Sequence, residues 1–301
     1  MSELLQQIIN GISLGSIYAL IALGYTMVYG VLRFINFAHG DVFMIGAFVG
    51  YYAAPHIVPL VGGNLFLAGP LVMLLAMIVC SLLGVVTEKL AYKPLRSRPK
   101  LTVLITAIGV SLFLEFGGQL VFGPDPKSFP ILIPSATVID TENLTIKSTT
   151  LVVIGTTIFL MLLLRVIVMK TKIGTAMRAL SFNQQAASLM GININTVISF
   201  TFVLGSSLAA AGGILYGSLY PSINPLMGVF PGLKAFISAV LGGIGNIPGA
   251  ALGGMIIGLL ETFVTGYLSP TFRDAIAFGI LILILLFKPS GILGRHEAEK
   301  V

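Results

Sequence analysis

TKIGTAMRALSFNQQAASLMG, residues 171–191, is the stretch on which the reading of the whole chain turns. Advancing 100° per residue from Met177 gathers Arg178, Ser181, Gln184, Gln185 and Ser188 on one arc, and Ala179, Leu180, Phe182, Ala186, Ala187, Leu189 and Met190 on the other side. Asn183 and Met177 break that division. The segment is too polar to cross a bilayer, yet both its ends are fastened to apolar runs that can. It is therefore expected at the membrane surface.

Working outward, the composition fixes the class. Hydrophobic residues make up 56% of the 301, charged residues 9%, and the mean hydropathy is +1.01, which leaves too little polar surface for a water-soluble globule. Thirty-five glycines and no tryptophan suit helices whose backbones approach at small residues. Runs such as IAFGILILILLF, residues 276–287, are apolar at every position, whereas a transmembrane barrel needs alternating strands. The fold class predicted is all-α, a polytopic membrane protein of eight or nine transmembrane helices, some interrupted or half-length, forming a single transmembrane domain over 1–301. Cys80 is the only cysteine and lies in an apolar run, so it reads as a small buried hydrophobe.

The predicted spans cover 8–30, 42–58, 65–86, 101–122, 151–169, 197–219, 247–267 and 275–287; a short apolar piece at 229–241 makes the ninth if it crosses fully. Residues 123–150, with four prolines and an alternating stretch, read as an extramembrane loop holding a short hairpin. The first run lacks a basic flank and a cleavage site and reads as a retained span. Basic residues decide the orientation: the loop 89–100, the region 165–178 and the tail from 288 together hold 12 of the 17 Lys and Arg. That places 89–100, the 171–195 loop and the 288–301 tail in the cytoplasm, loop 123–150 in the periplasm and the N-terminus outside. The net charge of +6 follows from this asymmetry and calls for no nucleic acid.

Two interrupted stretches could carry a transport path. One is INFAHGD, residues 35–41, with Asn36, His39, Gly40 and Asp41; the other is LGGIGNIPGA, residues 241–250, with Gly242, Gly243, Gly245, Asn246, Pro248 and Gly249. A break in a helix at membrane depth is tolerated only where protein or a wet cavity covers it, and breaks in corresponding places of two halves mark transport routes. Ordinary turns between antiparallel helices fit these stretches equally well. His39 and Asp41 would then end a helix near the interface, Glu115 and Glu261 would snorkel or pair, and Lys234 would reach the outer interface.

Several chemistries find no residues here. The nearest approach to a phosphate loop, residues 228–234, has the wrong spacing and a proline. No nucleophile elbow or intramembrane carboxylate pair exists, so the chain is not expected to be an enzyme. Three distant histidines make no metal site.

The stretches INFAHGDVFMIGAFVGYY (35–52), RALSFNQQAASLMGININTVISFTFVLGSSLAAAGGIL (178–215) and LGGIGNIPGAALGGMIIGLLE (241–261) together resemble the permease subunits of bacterial ABC importers for branched-chain amino acids. The resemblance runs from about residue 9 to 294. It implies a multi-pass protein of the bacterial inner membrane, paired as a heterodimer with a second, related permease. It further implies two cytoplasmic ATPase subunits carrying ATP and Mg, no cofactor on this chain, and a periplasmic substrate-binding protein. The segment matching 178–191 would be the coupling helix that docks into the ATPase, with Arg178, Ala179, Leu180, Ser181, Phe182, Gln184, Gln185, Leu189 and Gly191 as its contacts. Related cargo such as urea, amides or other amino acids stays open. So does a stand-alone secondary transporter, which would need a mid-depth coupling group such as Asp41 or Glu115.

Overall fold

The computed structural model describes residues 2–96, 98–141 and 144–294. The last part of the predicted tail, 295–301, with two of its basic residues, lies outside them. Among the described residues eleven α-helices follow one another: α1 (Ser2–Leu32), α2 (His39–Leu60), α3 (Leu65–Thr87), α4 (Lys100–Phe122), α5 (Ser148–Lys170), α6 (Lys172–Phe182), α7 (Gln184–Leu189), α8 (Ile194–Leu219), α9 (Val229–Gly242), α10 (Ile247–Phe263) and α11 (Arg273–Phe287). Eight helical stretches are long and apolar enough to span a bilayer. The ninth candidate, α9, has 14 residues and reaches only about 21 Å at 1.5 Å per residue, short of the ~30 Å hydrocarbon layer. It does not cross.

α1 is the axis of the molecule. Ile17, Leu20, Ile21 and Leu23 are wholly buried, because α10, α8 and α9 close around them. Lipid tails are as apolar as leucine, so helices associate through close packing rather than through a drive to leave the solvent. The sequence supplies the required small residues: a Cβ on Gly15 would stand 2.9 Å from the Met255 Cα, and one on Gly46 of α2 would stand 2.5 Å from the Ala210 Cα of α8. α3, α4, α5 and α11 lie outside this centre and turn leucine- and phenylalanine-rich faces outward. At the end bearing the basic loops, Glu88 ties three elements together. It is buried, ion-paired with Arg96 and hydrogen-bonded by the Ser199 hydroxyl at 2.7 Å. Burial alone pulls the Arg96 guanidinium down from its usual range, and the adjacent carboxylate compensates its charge.

The opposite end carries two small pairs of strands. β1 (Lys127–Ser128) pairs antiparallel with β4 (Ser222–Ile223), and β2 (Thr137–Thr141) with β3 (Leu144–Lys147). The second pair is the hairpin expected from the alternation in 137–147. The first fastens the proline-rich loop across to the chain between α8 and α9. Cys80 is fully buried, as its apolar run predicts.

α2 does not begin where α1 ends. The His39 ring lies against the Gly24 Cα, where any side chain would collide with it, and Gly205 in the middle of α8 lies against Gly24 from another side. Gly24 is eight residues before Leu32, so α2 starts about 12 Å inside the end of α1. Residues 33–38 climb that distance as irregular chain, entered through Arg33 at φ 55°. His39 and Asp41 are thus buried at depth and do not sit near an interface. The interrupted helix is real, and its start is interior.

Candidate functional site

The surface segment consists of two helices instead of one amphipathic helix. Asn183 adopts extended backbone (φ −155°, ψ 111°) and its side chain accepts a hydrogen bond from the Ala186 N–H at 3.0 Å, capping α7. This break resets the helical phase, so the single wheel through 171–191 fails beyond residue 182. On α6 the buried face is Gly174, Met177 and Leu180, which explains why Met177 interrupts the polar arc. On α7 only Ala187 is buried. Phe182, Leu189 and Met190 project outward at 89%, 88% and 82% exposure. The expected shared apolar face of Leu180, Phe182 and Leu189 therefore does not exist: Leu180 seats the segment, and the other two stand clear of it.

What holds the segment is polar and local. Thr171 caps α6 by accepting from the Gly174 N–H at 3.1 Å, and the missing Gly174 side chain lets α6 fold back on the Ile167 and Val168 carbonyls of α5. The Gln184 amide donates to the Val31 carbonyl at 3.1 Å, and Arg33 donates to the Ser181 carbonyl at 3.4 Å. Both anchors lie at the end of α1, beside the re-entrant chain. Arg178 donates to the Thr175 hydroxyl, the Ser181 hydroxyl donates to the Arg178 carbonyl, Ala179 is half-buried and Gln185 is exposed. Gly191, at φ 81°, ends α7, and the following N–H of Ile192 reaches back to the Ala187 carbonyl at 3.1 Å.

The interior interruptions come together at a different place from the one the sequence suggests. A Cβ on Gly40 would stand 2.6 Å from the Gly228 carbonyl oxygen and 3.1 Å from the Gly232 Cα. The starts of α2 and α9 therefore lie directly against each other, and only glycine permits the approach. Gly228 marks the second interior start, reached through β4 and the turn at 225–228. Around the first, Asn36 accepts from the Tyr92 hydroxyl at 2.5 Å, and Asp41 from the Ser111 hydroxyl at 2.5 Å. His39 packs edge-on against Tyr25, with ring centres 4.8 Å apart, and its Nε2 has no hydrogen-bond partner among the described residues.

Residues 242–249 form a tight hairpin at the basic end. Gly243 and Gly245 have φ of 101° and 94°, a region open to glycine at little cost. Asn246 caps α10 through the Gly249 N–H and donates to the Leu293 carbonyl at 2.8 Å, while the Leu293 N–H bonds to Gly242. Pro248 takes an early position in α10 that needs no N–H partner. Ile35 and Ile244, one from each interruption, line a shared void with Tyr25, Tyr29, Phe236 and Ala239. Its volume is about 10 Å³, room for a water at most. The chain is closed here.

A larger space opens towards the other end. A cavity of about 320 Å³ is lined by side chains of α1, α8, α9, α10 and α11, among them Tyr18, Lys234, Glu261 and Arg273. Lys234 is 2% exposed, against the expectation that it reaches the interface. Its Nζ lies 2.9 Å from Glu261 Oε1 and 2.7 Å from Asp274 Oδ1, Arg273 Nε is 3.3 Å from Glu261, and the Tyr18 hydroxyl donates to Glu261 Oε2 at 2.8 Å. Glu261 thus pairs rather than snorkels. Tyr220, just past α8, has its phenol pushed up by burial and by the Glu261 charge, with Arg273 opposing. Within the cluster, the Lys234–Glu261 pair follows from hairpin register: between α9 and α10 Gly242 faces Gly249 and Ser238 faces Gly253. Lys234 then falls one turn from Glu261, and a lone buried cation demands such a partner.

A family described as "Branched-chain amino acid transport system / permease component" matches residues 7–285. The chain belongs to this permease family. It is 44% identical to the high-affinity branched-chain amino acid transport system permease protein LivH of Escherichia coli (strain K12), over 99% of this chain and 97% of that protein. It is 43% identical to BraD of Pseudomonas aeruginosa, of the same description, over 99% and 98%. A shorter match, 28% identity over 42% of this chain and 40% of the relative, reaches the probable branched-chain amino acid transport permease LivM of Methanocaldococcus jannaschii. This permease is a multi-pass membrane protein of a transport system, and a second permease type within the family is consistent with a paired subunit.

Proposed function

We propose that this permease is the membrane subunit of an ATP-driven importer that carries leucine, isoleucine and valine across the bacterial inner membrane. It acts with a second, homologous permease, two cytoplasmic ATPases that hold ATP and Mg, and a periplasmic binding protein. The observation that carries the reading is the α6–α7 segment. Three large apolar side chains stand almost fully exposed on a polar, firmly anchored surface element, which is costly unless a protein cleft receives them. Its anchors are the end of α1 and the carbonyl of Val31, so a push on Phe182 and Leu189 is delivered to the start of the re-entrant chain at Arg33 and Asn36.

The route we assign passes the interior starts of α2 and α9, with Asn36, His39, Gly40 and Asp41 on one side, and leaves by the hairpin of Gly242, Gly243, Gly245, Asn246, Pro248 and Gly249. The geometry suits a resting state closed at the basic, cytoplasmic end and open at the other. The test is reconstitution. Liposomes holding all the subunits should take up leucine when ATP is supplied, and liposomes holding this chain alone should take up none. Replacing Phe182 and Leu189 together by serine should cut uptake at least about tenfold, the equivalent of some 1.4 kcal/mol of docking. Uptake by the isolated chain would overturn the proposal.

A further inference from the structure

We infer that the 320 Å³ cavity beside Lys234 is a binding site for a free zwitterionic amino acid with an aliphatic side chain, held before it enters the route. The inference rests on the import reading and specifies where cargo first touches this chain.

The chemistry of the lining divides in two. One wall is formed by Leu226 and Met227, just before α9, and by Phe230 and Pro231 in its first turn. It offers a branched side chain an apolar surface. The other wall holds Lys234, Arg273 and Glu261, and Asp274, ion-paired with both cations, brings the cluster to two charges of each sign. A neutral, two-signed cluster suits a ligand that is itself neutral and two-signed, whereas a cationic or anionic ligand would leave one buried charge uncompensated.

The cluster also has capacity to spare. Arg273 uses only its Nε on Glu261 and Asp274, so its two terminal amino groups carry no hydrogen bond among the described residues. That fork matches a carboxylate. Ser222 and Asn224, which also line the cavity, bring oxygens that can accept from an ammonium group. Lys234 and Glu261 are buried and paired with each other, and they act as the frame that positions Arg273. The volume lies at the lower end of the range of small-ligand sites, about 300–1,000 Å³, which favours a single amino acid over a peptide. Both half-helix starts lie next to the apolar wall, since Gly228 precedes α9 by one residue and touches Gly40.

The sole cysteine makes a direct test possible. In the complete transporter in nanodiscs, without binding protein, Cys80→Ala with Leu226→Cys puts one thiol on the rim of the cavity. Leucine at about 10 mM, ten times a millimolar dissociation constant, should slow its reaction with a membrane-impermeant maleimide at least fivefold, and arginine or glutamate should not. A labelling rate indifferent to leucine overturns the inference. In parallel, Met227→Trp should fill the cavity without touching an ion pair, and a complex that still copurifies intact should lose at least nine-tenths of its leucine uptake. Wild-type uptake by that variant also overturns it. These failures are separable from failure of the import reading: a wild-type complex that imports leucine while either result goes wrong condemns the cavity alone, and a complex that imports no branched-chain amino acid condemns the reading itself.

Discussion

His39 and Lys234 show how single residues in this permease are bound by what their neighbours lack or supply. The His39 ring occupies the place of a Gly24 side chain, so Gly24→Ala forces the ring to move and should destabilise the fold by about 1–3 kcal/mol. The midpoint of thermal unfolding in detergent measures it, and His39→Ala in the same chain should restore most of the loss. A wild-type midpoint for Gly24→Ala would contradict the contact. Lys234→Met should cost about 3–5 kcal/mol, because Glu261 then stays buried with Arg273 alone to balance it. Adding Glu261→Gln should recover part of that stability, and a further loss in the double variant would show that the pair is not the source. The presence of a partner for Lys234 was legible, since it is a lone cation in an apolar run. The identity of Asp274 and Arg273 was not, because a third helix docks on the α9–α10 hairpin through contacts that no local pattern encodes.

At the scale of elements, the chain announced its helices through apolar runs, and its capping residues told more than the wheel did. Thr171, Asn183 and Asn193 each cap a helix by accepting the N–H three residues ahead, and the middle one splits the surface segment. Asn183→Ala removes that cap at a cost of about 1 kcal/mol. Amide exchange across 184–189 should quicken about fivefold while α6 keeps its protection; equal protection in both helices would mean that they act as one. The wheel misled because periodicity carries no sign of a phase reset. The short length of α9 was visible from the brevity of the apolar run at 229–241. Its interior start was not, because that depends on Gly40 and Gly228 meeting across 188 residues of chain.

For the whole molecule, all-α architecture, eight spans and the paired strands of the loop follow from composition, run length and alternation. The asymmetry of basic residues adds a direction that can be measured. With Cys80→Ala, a cysteine at Ser181 should react with an impermeant reagent only from the cytoplasmic face of oriented vesicles, and one at Thr145 only from the periplasmic face. Reversed labelling would invert the path of cargo and, with it, the place of the ATPases.

The interior start of α2 bears on how the protein is made. Residues 33–38 have irregular backbone below the membrane surface; Tyr92 covers Asn36, while Phe236, which packs on Phe37, and Ile244, which lines a void with Ile35, come later in the chain. While the ribosome is still extending the chain through α5, Tyr92 is in place but the rest of that cover is not, and the backbone lacks a fully lipid-compatible home. The first hairpin must therefore wait in a provisional, wetter arrangement, near the insertion machinery or at the surface, until the second half arrives to enclose it. A nascent chain arrested after Lys170 should show His39 open to water-borne reagents, and one arrested after Phe287 should not.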